Sequence, residues 1–235
     1  MTTFRTSASL AGLAIALAIA GCGYNDKLTA AGPTPLAQVM VVLASPDTSP
    51  VSAFVDGASG DSALSYLTNS PYLATAQANA RVQLFYLDNH NPPNRYLALD
   101  TTVPTSPNGS YTIFAADSLS RLGPVVFSDD VSTPPSGKAR IRFIQCLPSS
   151  GAVDFAISGG AILAASVPFK GTGGWQLADA GSYDFEARPA GDPTTKIATT
   201  QGLTFSAGHV YTLWLYGPVG LHAPSVPGFQ TIVNH

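Results

Sequence analysis

Val39-Met40-Val41-Val42-Leu43-Ala44-Ser45-Pro46 is a valine-rich apolar run that ends in a Ser-Pro turn signal. It returns about 100 residues later as Ile141-Arg142-Phe143-Ile144-Gln145-Cys146-Leu147-Pro148. Three more segments recur at this spacing: Val51-Ser52-Ala53-Phe54-Val55 as Val153-Asp154-Phe155-Ala156-Ile157, Ser70-Pro71-Tyr72-Leu73 as Gly173-Gly174-Trp175-Gln176-Leu177, and Gly109-Ser110-Tyr111-Thr112-Ile113 as His209-Val210-Tyr211-Thr212-Leu213. A period this long indicates duplicated domains and not solenoid units.

The turn-rich segment Ser132-Thr133-Pro134-Pro135-Ser136-Gly137 separates the two copies and predicts the domain boundary. We expect one domain over residues 36–136, a second over residues 137–220, and a C-terminal tail over residues 221–235. Each copy is long enough to bury a core of its own. We therefore expect each copy to fold cooperatively when it is expressed alone.

Apolar and polar residues alternate along the second copy, as at Val153, Phe155 and Ile157 around Asp154 and Ala156. Period-two alternation predicts strands with one buried and one wetted face. Leu213-Trp214-Leu215-Tyr216 is apolar on both faces, which predicts a central strand or one covered by a neighbour. With 22 Gly and 19 Pro as turn formers, the pattern predicts an all-β protein of two tandem immunoglobulin-like antiparallel β-sandwich domains.

Three segments resemble the bacterial domain-of-unknown-function family 4397. Val42-Leu43-Ala44-Ser45-Pro46-Asp47 resembles its opening V-H-A-S-P-D, the segment from Ala180 to Gly191 resembles its A-G-x-Y-x-h-x-h-x-P-A-G motif with h apolar, and Gly208-His209-Val210-Tyr211-Thr212 resembles its closing strand. The resemblance implies tandem Ig-like domains on a secreted or lipid-anchored protein. The family histidine is replaced by Leu43 and Gln145 in the two copies, and the resemblance brings no established catalytic activity with it.

The N-terminal segment Leu17-Ala18-Ile19-Ala20-Gly21-Cys22 resembles the lipobox of a bacterial lipoprotein. Arg5 and the apolar residues 10–20 predict a signal peptide over residues 1–21, too short to span a bilayer as a helix. The resemblance implies a lipid on Cys22, and Gly23 after it implies sorting to the outer membrane or cell surface. The alternative is an ordinary secretory signal that is cleaved near Gly21.

The residues after the signal and the charge of the chain indicate which partners to expect. Residues 22–35 end in Pro33 and Pro35 and predict a flexible tether. Without the signal, ten of the 11 Lys and Arg remain against 14 Asp and Glu. This mild acidic excess gives no footprint for a nucleic-acid backbone.

Catalytic and metal-binding motifs are absent from the sequence, and we expect no enzymatic activity, cofactor or metal. Cys146 has no recognisable histidine relation, and we interpret it as a buried thiol in place of Ala44. The oxygen-rich loop over residues 88–94 and the pair Asp129-Asp130 match no calcium-loop spacing, so calcium is an open alternative there. An aspartate-based enzyme would require Asp88, Asp129 or Asp130 to converge in one pocket.

Three aromatic residues, Trp175, Trp214 and Tyr216, are candidate ligand-binding positions, because exposed rings can stack on a sugar or a partner. Core packing is the competing interpretation, favoured for Trp175 because it matches Tyr72 in the repeat. The sequence predicts a non-enzymatic, lipid-anchored cell-envelope protein with a structural, adhesive or protein-binding role. A carbohydrate-binding module of the cell surface is the alternative.

Overall fold

Eight strands follow one another in the first repeat of the computed structural model, which describes residues 35–88, 90–91, 93–148, 150–218 and 226–234. They are β1 Ala37–Ala44, β2 Val51–Val55, β3 Ala58–Leu64, β4 Leu73–Thr75, β5 Asn79–Leu87, β6 Arg95–Pro104, β7 Ser110–Ala116 and β8 Gly123–Asp129. One turn of 3₁₀ helix, Leu119–Arg121, joins the last two strands. The predicted lipidation site Cys22, the predicted signal peptide and most of the predicted tether lie outside the described residues.

The second repeat supplies eight further strands among the described residues. They are β9 Lys138–Gln145, β10 Val153–Ile157, β11 Ile162–Val167, β12 Thr172–Asp179, β13 Gly181–Pro189, β14 Ala198–Phe205, β15 Val210–Tyr216 and β16 Gly228–Val233. The chain is all-β, as the sequence predicts. The described part of the chain contains no helix long and apolar enough to span a membrane.

Each repeat forms two four-stranded sheets with the same strand order. Sheet A (β4-β1-β7-β8) and sheet B (β3-β2-β5-β6) make the first sandwich, and sheet C (β12-β9-β15-β16) and sheet D (β11-β10-β13-β14) make the second. The prediction of two β-sandwich units is therefore confirmed. The sheets are not purely antiparallel, because β1 pairs with β7 and β9 pairs with β15 in parallel. Alternation along a strand does not distinguish these two pairings.

A tyrosine near the start of the seventh strand ties down the preceding turn in both copies. The Tyr111 hydroxyl accepts a hydrogen bond from the backbone N–H of Ser106 at 2.9 Å. In the second copy the Tyr211 hydroxyl accepts the equivalent bond from Ser206 at 3.0 Å. A tyrosine that bonds to backbone a few residues upstream is a feature of immunoglobulin-like sandwiches. The shared contact shows that the repeat extends to a tertiary detail.

The sheets stack in the order B, A, C, D. Side chains alternate across β1, so Val41 faces the core shared with sheet B, whereas Val42 faces sheet C. Both are fully buried. Sheet C is covered in the same way, by sheet D on the side of Leu213 and by sheet A on the side of Trp214. This explains why residues 213–216 are apolar on both faces.

The second sandwich extends beyond the boundary that the sequence predicts. Residues 228–233 fall in the segment interpreted as a tail, but they form β16, which pairs with β15 from Tyr211↔Val233 to Tyr216↔Gly228. Ile232 of β16 is buried in the cluster between sheets A and C. The backbone N–H of Asn234 continues the pairing by bonding to the carbonyl of Val210 at 2.8 Å. Residues 228–233 are thus the eighth strand of the second sandwich and the fourth strand of sheet C.

The strand registers define two ends of the molecule. At the entry end, β1 begins beside Ser110, Asp129 ends β8 opposite the same residue, and Asn234 lies beside the start of β15. The opposite loop end carries the β1–β2, β5–β6 and β7–β8 connections of the first sandwich. There the Nζ atom of Lys170 lies 3.9 Å from a carboxylate oxygen of Asp117, which joins loops of the two sandwiches.

Candidate functional site

The predicted aromatic positions do not form an exposed platform. Trp214 is fully buried, with its ring centroid 5.4 Å from that of Phe114 and 5.9 Å from that of Tyr216. Its ring therefore presents no surface to a sugar, and the expectation of a ligand contact there is corrected. Tyr216 is half-buried and meets the edge of Tyr66. Its plane is inclined by 62° to Trp214.

Trp175 is half-buried on β12, and part of its ring is already occupied. The guanidinium carbon of Arg142, its register partner on β9, lies 4.5 Å from the ring centroid. Tyr72 occupies the equivalent position beside β1, as the sequence comparison of the repeats suggested. A half-covered ring that packs on the buried Arg142 helps to hold that guanidinium in place, since a cation over a ring face is a stabilising arrangement.

The three candidate aspartates are divided between the two ends of the fold. Asp129 ends β8 at the entry end, and its carboxylate is buried and paired with Arg142 at 2.7 Å. Asp130 follows in the connection to β9 and pairs with Arg140 at 2.9 Å. Asp88 lies beyond β5 at the loop end, where its partners are His90 and Asn94. The convergence that an aspartate-based enzyme requires is not present among them.

Cys146 lies between sheets A and C, in the cluster that also contains Ala44 and Trp214. Its exposed fraction is 1%. Complete burial raises the pKa of the Cys146 thiol well above its usual range. A thiol in this state is a packing group and not a nucleophile. Within the described ranges, no three or more His, Cys, Asp or Glu side chains are grouped so that they could hold a metal ion.

The most distinctive exposed surface is on sheet B and includes none of the predicted positions. Phe54 of β2, Phe85 of β5, and Arg95 and Leu97 of β6 lie on the face turned away from sheet A; we call these four residues the outer aromatic face. The Phe54 and Phe85 rings meet edge to face at 5.9 Å. The guanidinium carbon of Arg95 lies 3.7 Å from the Phe85 centroid and 5.1 Å from that of Phe54. Leu97 pairs with Phe85 across the strands and is 52% exposed.

The sequence carried a signal for this surface. Along β5 the alternation of Arg81-Val82-Gln83-Leu84 gives way to the continuous apolar run Phe85-Tyr86-Leu87. The register with β6 shifts between Leu84 and Phe85, as at a β-bulge, which redirects side chains. The partner strand opens with Arg95-Tyr96-Leu97. Apolar residues that face each other at the end of this hairpin indicate an apolar patch on a strand surface that would otherwise be polar.

The second sandwich lacks such a face. The registers β2–β5 and β10–β13 place Ala156 at the position of Phe54 and Arg188 at the position of Phe85. Glu186, the position equivalent to Gln83, is fully buried and paired with Arg188 and with Lys196, the latter at 2.8 Å. The outer face of sheet D is therefore built around internal ion pairs, and the outer aromatic face is specific to the first repeat.

A cleft opens beside the β5–β6 hairpin at the loop end. It has a volume of about 610 Å³ and is lined by Ser49, Pro50, Ser62, Ala63, Leu87, Asp88, His90 and Pro93. We call it the hairpin cleft. Next to it the rings of Tyr86 and Tyr96 stack at 5.3 Å with an angle of 21°, and Tyr96 is 43% exposed.

Asp88 organises the loop beside this cleft. Its carboxylate accepts hydrogen bonds from the backbone N–H groups of His90 and Asn94 and from the Asn94 side chain, the last at 2.9 Å. Desolvation raises the pKa of Asp88, but the bonds from Asn94 and His90 outweigh it and lower the pKa to about 2. The carboxylate is therefore ionised at neutral pH and holds the loop.

Comparison with protein families finds a match to the family described as Domain of unknown function (DUF4397) over residues 37–156. No curated protein matches the chain. Among solved structures, the crystal structure of CBMbc (family CBM26) from Eubacterium rectale Amy13K in complex with maltoheptaose is similar at 11% sequence identity, over 83% of this chain and 95% of that chain, with a TM-score of 0.26. A TM-score of this size does not establish a shared ligand.

Proposed function

This chain belongs to the family Domain of unknown function (DUF4397), and from that premise we propose that it is a non-enzymatic, lipid-anchored protein of the cell envelope that binds another protein. The contact surface in this proposal is the outer aromatic face. The anchor is a lipid on Cys22, which rests on the lipobox resemblance, and the location is the outer membrane or cell surface.

The observation that carries the proposal is the composition and exposure of the outer aromatic face. Phenylalanine and arginine are enriched in the centres of protein–protein contacts, whereas isolated exposed leucines are common on any surface. Here Phe54, Phe85, Arg95 and Leu97 are contiguous on one sheet face. An immunoglobulin-like fold alone would not support this conclusion, because such sandwiches carry many functions.

The geometry of the face favours a protein over a sugar. A sugar ring stacks on an open aromatic face, but the guanidinium of Arg95 covers the face of Phe85 at 3.7 Å. The rings therefore offer edges, together with the methyl groups of Leu97 and the donors of Arg95. Edges, methyl groups and a forked donor fit apolar and acidic side chains of a protein partner.

The test uses two leucines of equal exposure on opposite sandwiches. Leu97 is 52% exposed and Leu177, on β12, is 53% exposed. The soluble chain over residues 23–235 is used to capture envelope proteins, in parallel with Leu97→Ser and Leu177→Ser variants. We expect the retained proteins to be lost with Leu97→Ser and kept with Leu177→Ser. Equal retention by both variants would refute the assignment of the surface.

The anchor is tested separately. Mass spectrometry of the membrane-extracted protein should find Cys22 as a lipid-bearing N-terminus, and replacement of Cys22 by serine should release the protein from the membrane fraction. An unmodified N-terminus near Gly21 would instead support the ordinary secretory signal.

A second candidate function is glycan binding at the hairpin cleft. The stacked and exposed Tyr96 offers an open ring face beside the side chains of Asp88, His90 and Asn94. An aromatic ring next to carboxylate and amide groups provides stacking and directional hydrogen bonds for a sugar. Glycan titration of the Tyr96→Ala variant decides this candidate. Binding that is lost with Tyr96→Ala but kept with Leu97→Ser would favour it over the protein-binding proposal.

A further inference from the structure

The two faces that meet between the sandwiches are equivalent faces of the two repeats. The registers β1–β7 and β9–β15 pair Met40 with Thr112 and Arg142 with Thr212, so Met40 corresponds to Arg142. By the same registers Val42 corresponds to Ile144 and Phe114 to Trp214. The first and second sandwiches therefore bury the same side of sheets A and C against each other, as in a twofold-symmetric dimer.

Most of this interface is compatible with either sandwich as a partner. Phe114 and Trp214 face each other with centroids 5.4 Å apart. Two further sets of equivalent apolar residues are buried in the same cluster: Val42 with its equivalent Ile144, and Ala44 with its equivalent Cys146. An isologous apolar face is self-complementary in principle, since each residue can meet its own equivalent. Apolar packing alone would not prevent like sandwiches from pairing.

Charged side chains break the equivalence at two positions. Asp129 pairs with Ser110 on β7, and Asn234 takes the corresponding place beside Val210 on β15. A carboxylate in the first repeat thus corresponds to an amide in the second, and Met40 corresponds to Arg142. The Arg142 side chain is 2% exposed and that of Asp129 is fully buried. Charge is therefore distributed unequally over the two equivalent faces.

The charged pair is bound across the interface. Nη2 of Arg142 donates to Asp129 at 2.7 Å, and Nη1 donates to the carbonyl of Ser128 at 3.1 Å. The guanidinium carbon lies 5.3 Å from the ring centroid of Phe127, which belongs to the first sandwich. From the first sandwich, the hydroxyls of Tyr72 and Thr112 donate to the second carboxylate oxygen, each at 2.7 Å.

Asn234 completes the network in the opposite direction. Its amide nitrogen donates to the Tyr72 hydroxyl at 3.0 Å and to Thr112 at 3.3 Å. Its carbonyl accepts from Thr212 at 2.6 Å. Each sandwich therefore contributes polar groups to one network, and Arg142 and Asn234 of the second sandwich bond to Asp129, Tyr72 and Thr112 of the first.

We propose that the Asp129–Arg142 pair makes the buried faces of sheets A and C an interaction surface for each other, in the same chain or in a second copy of it. The same pair prevents two first sandwiches, or two second sandwiches, from binding through these faces. Two first sandwiches would bring each Asp129 against Met40 and leave a buried carboxylate without its cation. Two second sandwiches would bring Arg142 against Asn234 and leave a buried guanidinium without its anion. A buried charge that loses its partner is strongly destabilising. Such unpaired charges are a recognised means of rejecting wrong partners.

The test cleaves the chain between the two sandwiches and keeps both halves in the sample. A protease site is inserted at the exposed Ser136, and soluble chain 23–235 is prepared with and without heavy nitrogen. Both samples are cleaved, unfolded together in urea, refolded by dilution and weighed by native mass spectrometry. We expect pairs of one first and one second sandwich, with the isotopes exchanged, in at least tenfold excess over like pairs. Abundant like pairs, or halves that remain separate after refolding, would overturn the proposal.

A variant tests the role of the charges themselves. Asp129→Asn with Arg142→Met makes each position identical in the two repeats. We expect like pairs to rise at least tenfold relative to the cleaved wild-type chain. Asp130→Asn with Arg140→Gln, which removes the neighbouring partly exposed pair, should leave the pairing unchanged. An unchanged preference in the first variant would show that apolar shape selects the partner. If that variant does not refold, the wild-type measurement still decides the pairing rule.

Discussion

At the scale of single residues, the buried ion pair between the sandwiches has the largest expected effect on stability. Replacing Arg142 by methionine leaves the Asp129 carboxylate buried with only the hydroxyls of Tyr72 and Thr112 as donors. We expect the free energy of unfolding to fall by about 3 kcal/mol, measured by urea denaturation. Arg81→Gln, which removes an exposed partner of Asp100, is the control and should change it far less.

The double variant Asp129→Asn with Arg142→Met should be more stable than Arg142→Met alone, because it leaves no unpaired charge in the interface. A double variant that is less stable than either single variant would contradict this account and would indicate that the polar contacts of Asp129 matter more than its charge.

A second residue-scale prediction concerns acid. The pKa of Asp88 is lowered to about 2 in the folded protein, below the ordinary value near 3.9. A lowered folded-state pKa contributes stability above the unfolded value, which is lost as the pH falls toward 2. We expect the chemical shift of the Asn94 backbone amide, which donates to Asp88, to move as the pH falls below about 3. An Asp88→Asn variant should show the altered loop already at pH 7.

The residue identities required for the interface were visible in the sequence, but their pairing was not. Trp214 and Tyr216 were correctly placed on a strand that is apolar on both sides, yet an exposed platform and a covered face predict the same pattern. Asp129 stands next to Asp130 at the end of β8, and Arg142 alternates with Arg140 along β9, so neither charge is distinguished in the sequence. Only the packing of sheet A on sheet C brings them to 2.7 Å.

At the scale of elements, β16 is the strand that the sequence did not predict. Its neighbourhood is rich in proline and glycine, which weakens the sequence pattern expected of a strand. The sequence also does not show that β15 is the strand with which it pairs. Residues 228–233 nevertheless cover one edge of β15, and the amide of Asn234 enters the interface network.

We expect truncation after residue 220 to expose the edge of β15 and to remove the buried Ile232. The melting temperature should fall by more than about 10 °C, because loss of an edge strand from a sandwich removes both hydrogen bonds and apolar burial. Differential scanning fluorimetry measures the change, and deletion of His235 alone is the length control. A truncated chain that melts at the same temperature would show that β16 contributes little.

The strands themselves were predictable where one face is wetted, as at Arg81 to Leu84, where Val82 and Leu84 are buried and Arg81 is exposed. The parallel pairing of β1 with β7 was not, because a strand does not record the direction of its neighbour in its own residues. The outer aromatic face was missed for a different reason. Its signal lies in two short apolar runs that become meaningful only when the β5–β6 register places Phe85 opposite Leu97.

At the scale of the whole molecule, the four-layer stack links the stability of the two repeats. Sheets A and C bury their shared faces completely at Val42, Phe114 and Trp214. We expect the soluble chain to unfold in one calorimetric transition whose van't Hoff and calorimetric enthalpies agree. Two separated transitions would contradict this coupling. That each repeat also folds alone remains a prediction, and a separated half would expose the apolar face that its partner covers.

The parallel pairing of the first strand has a mechanical consequence if the chain is held by lipid at one end and by a partner at the other. Tension would enter at the start of β1 and act along the strand, while β7 beside it runs in the same direction over the seven register pairs from Gln38↔Ser110 to Ala44↔Ala116. A load parallel to the strands shears all of these hydrogen bonds at once instead of opening them one after another. If the chain is anchored in this way, the fold is therefore suited to resist a mechanical force between the membrane and a partner bound at the outer aromatic face.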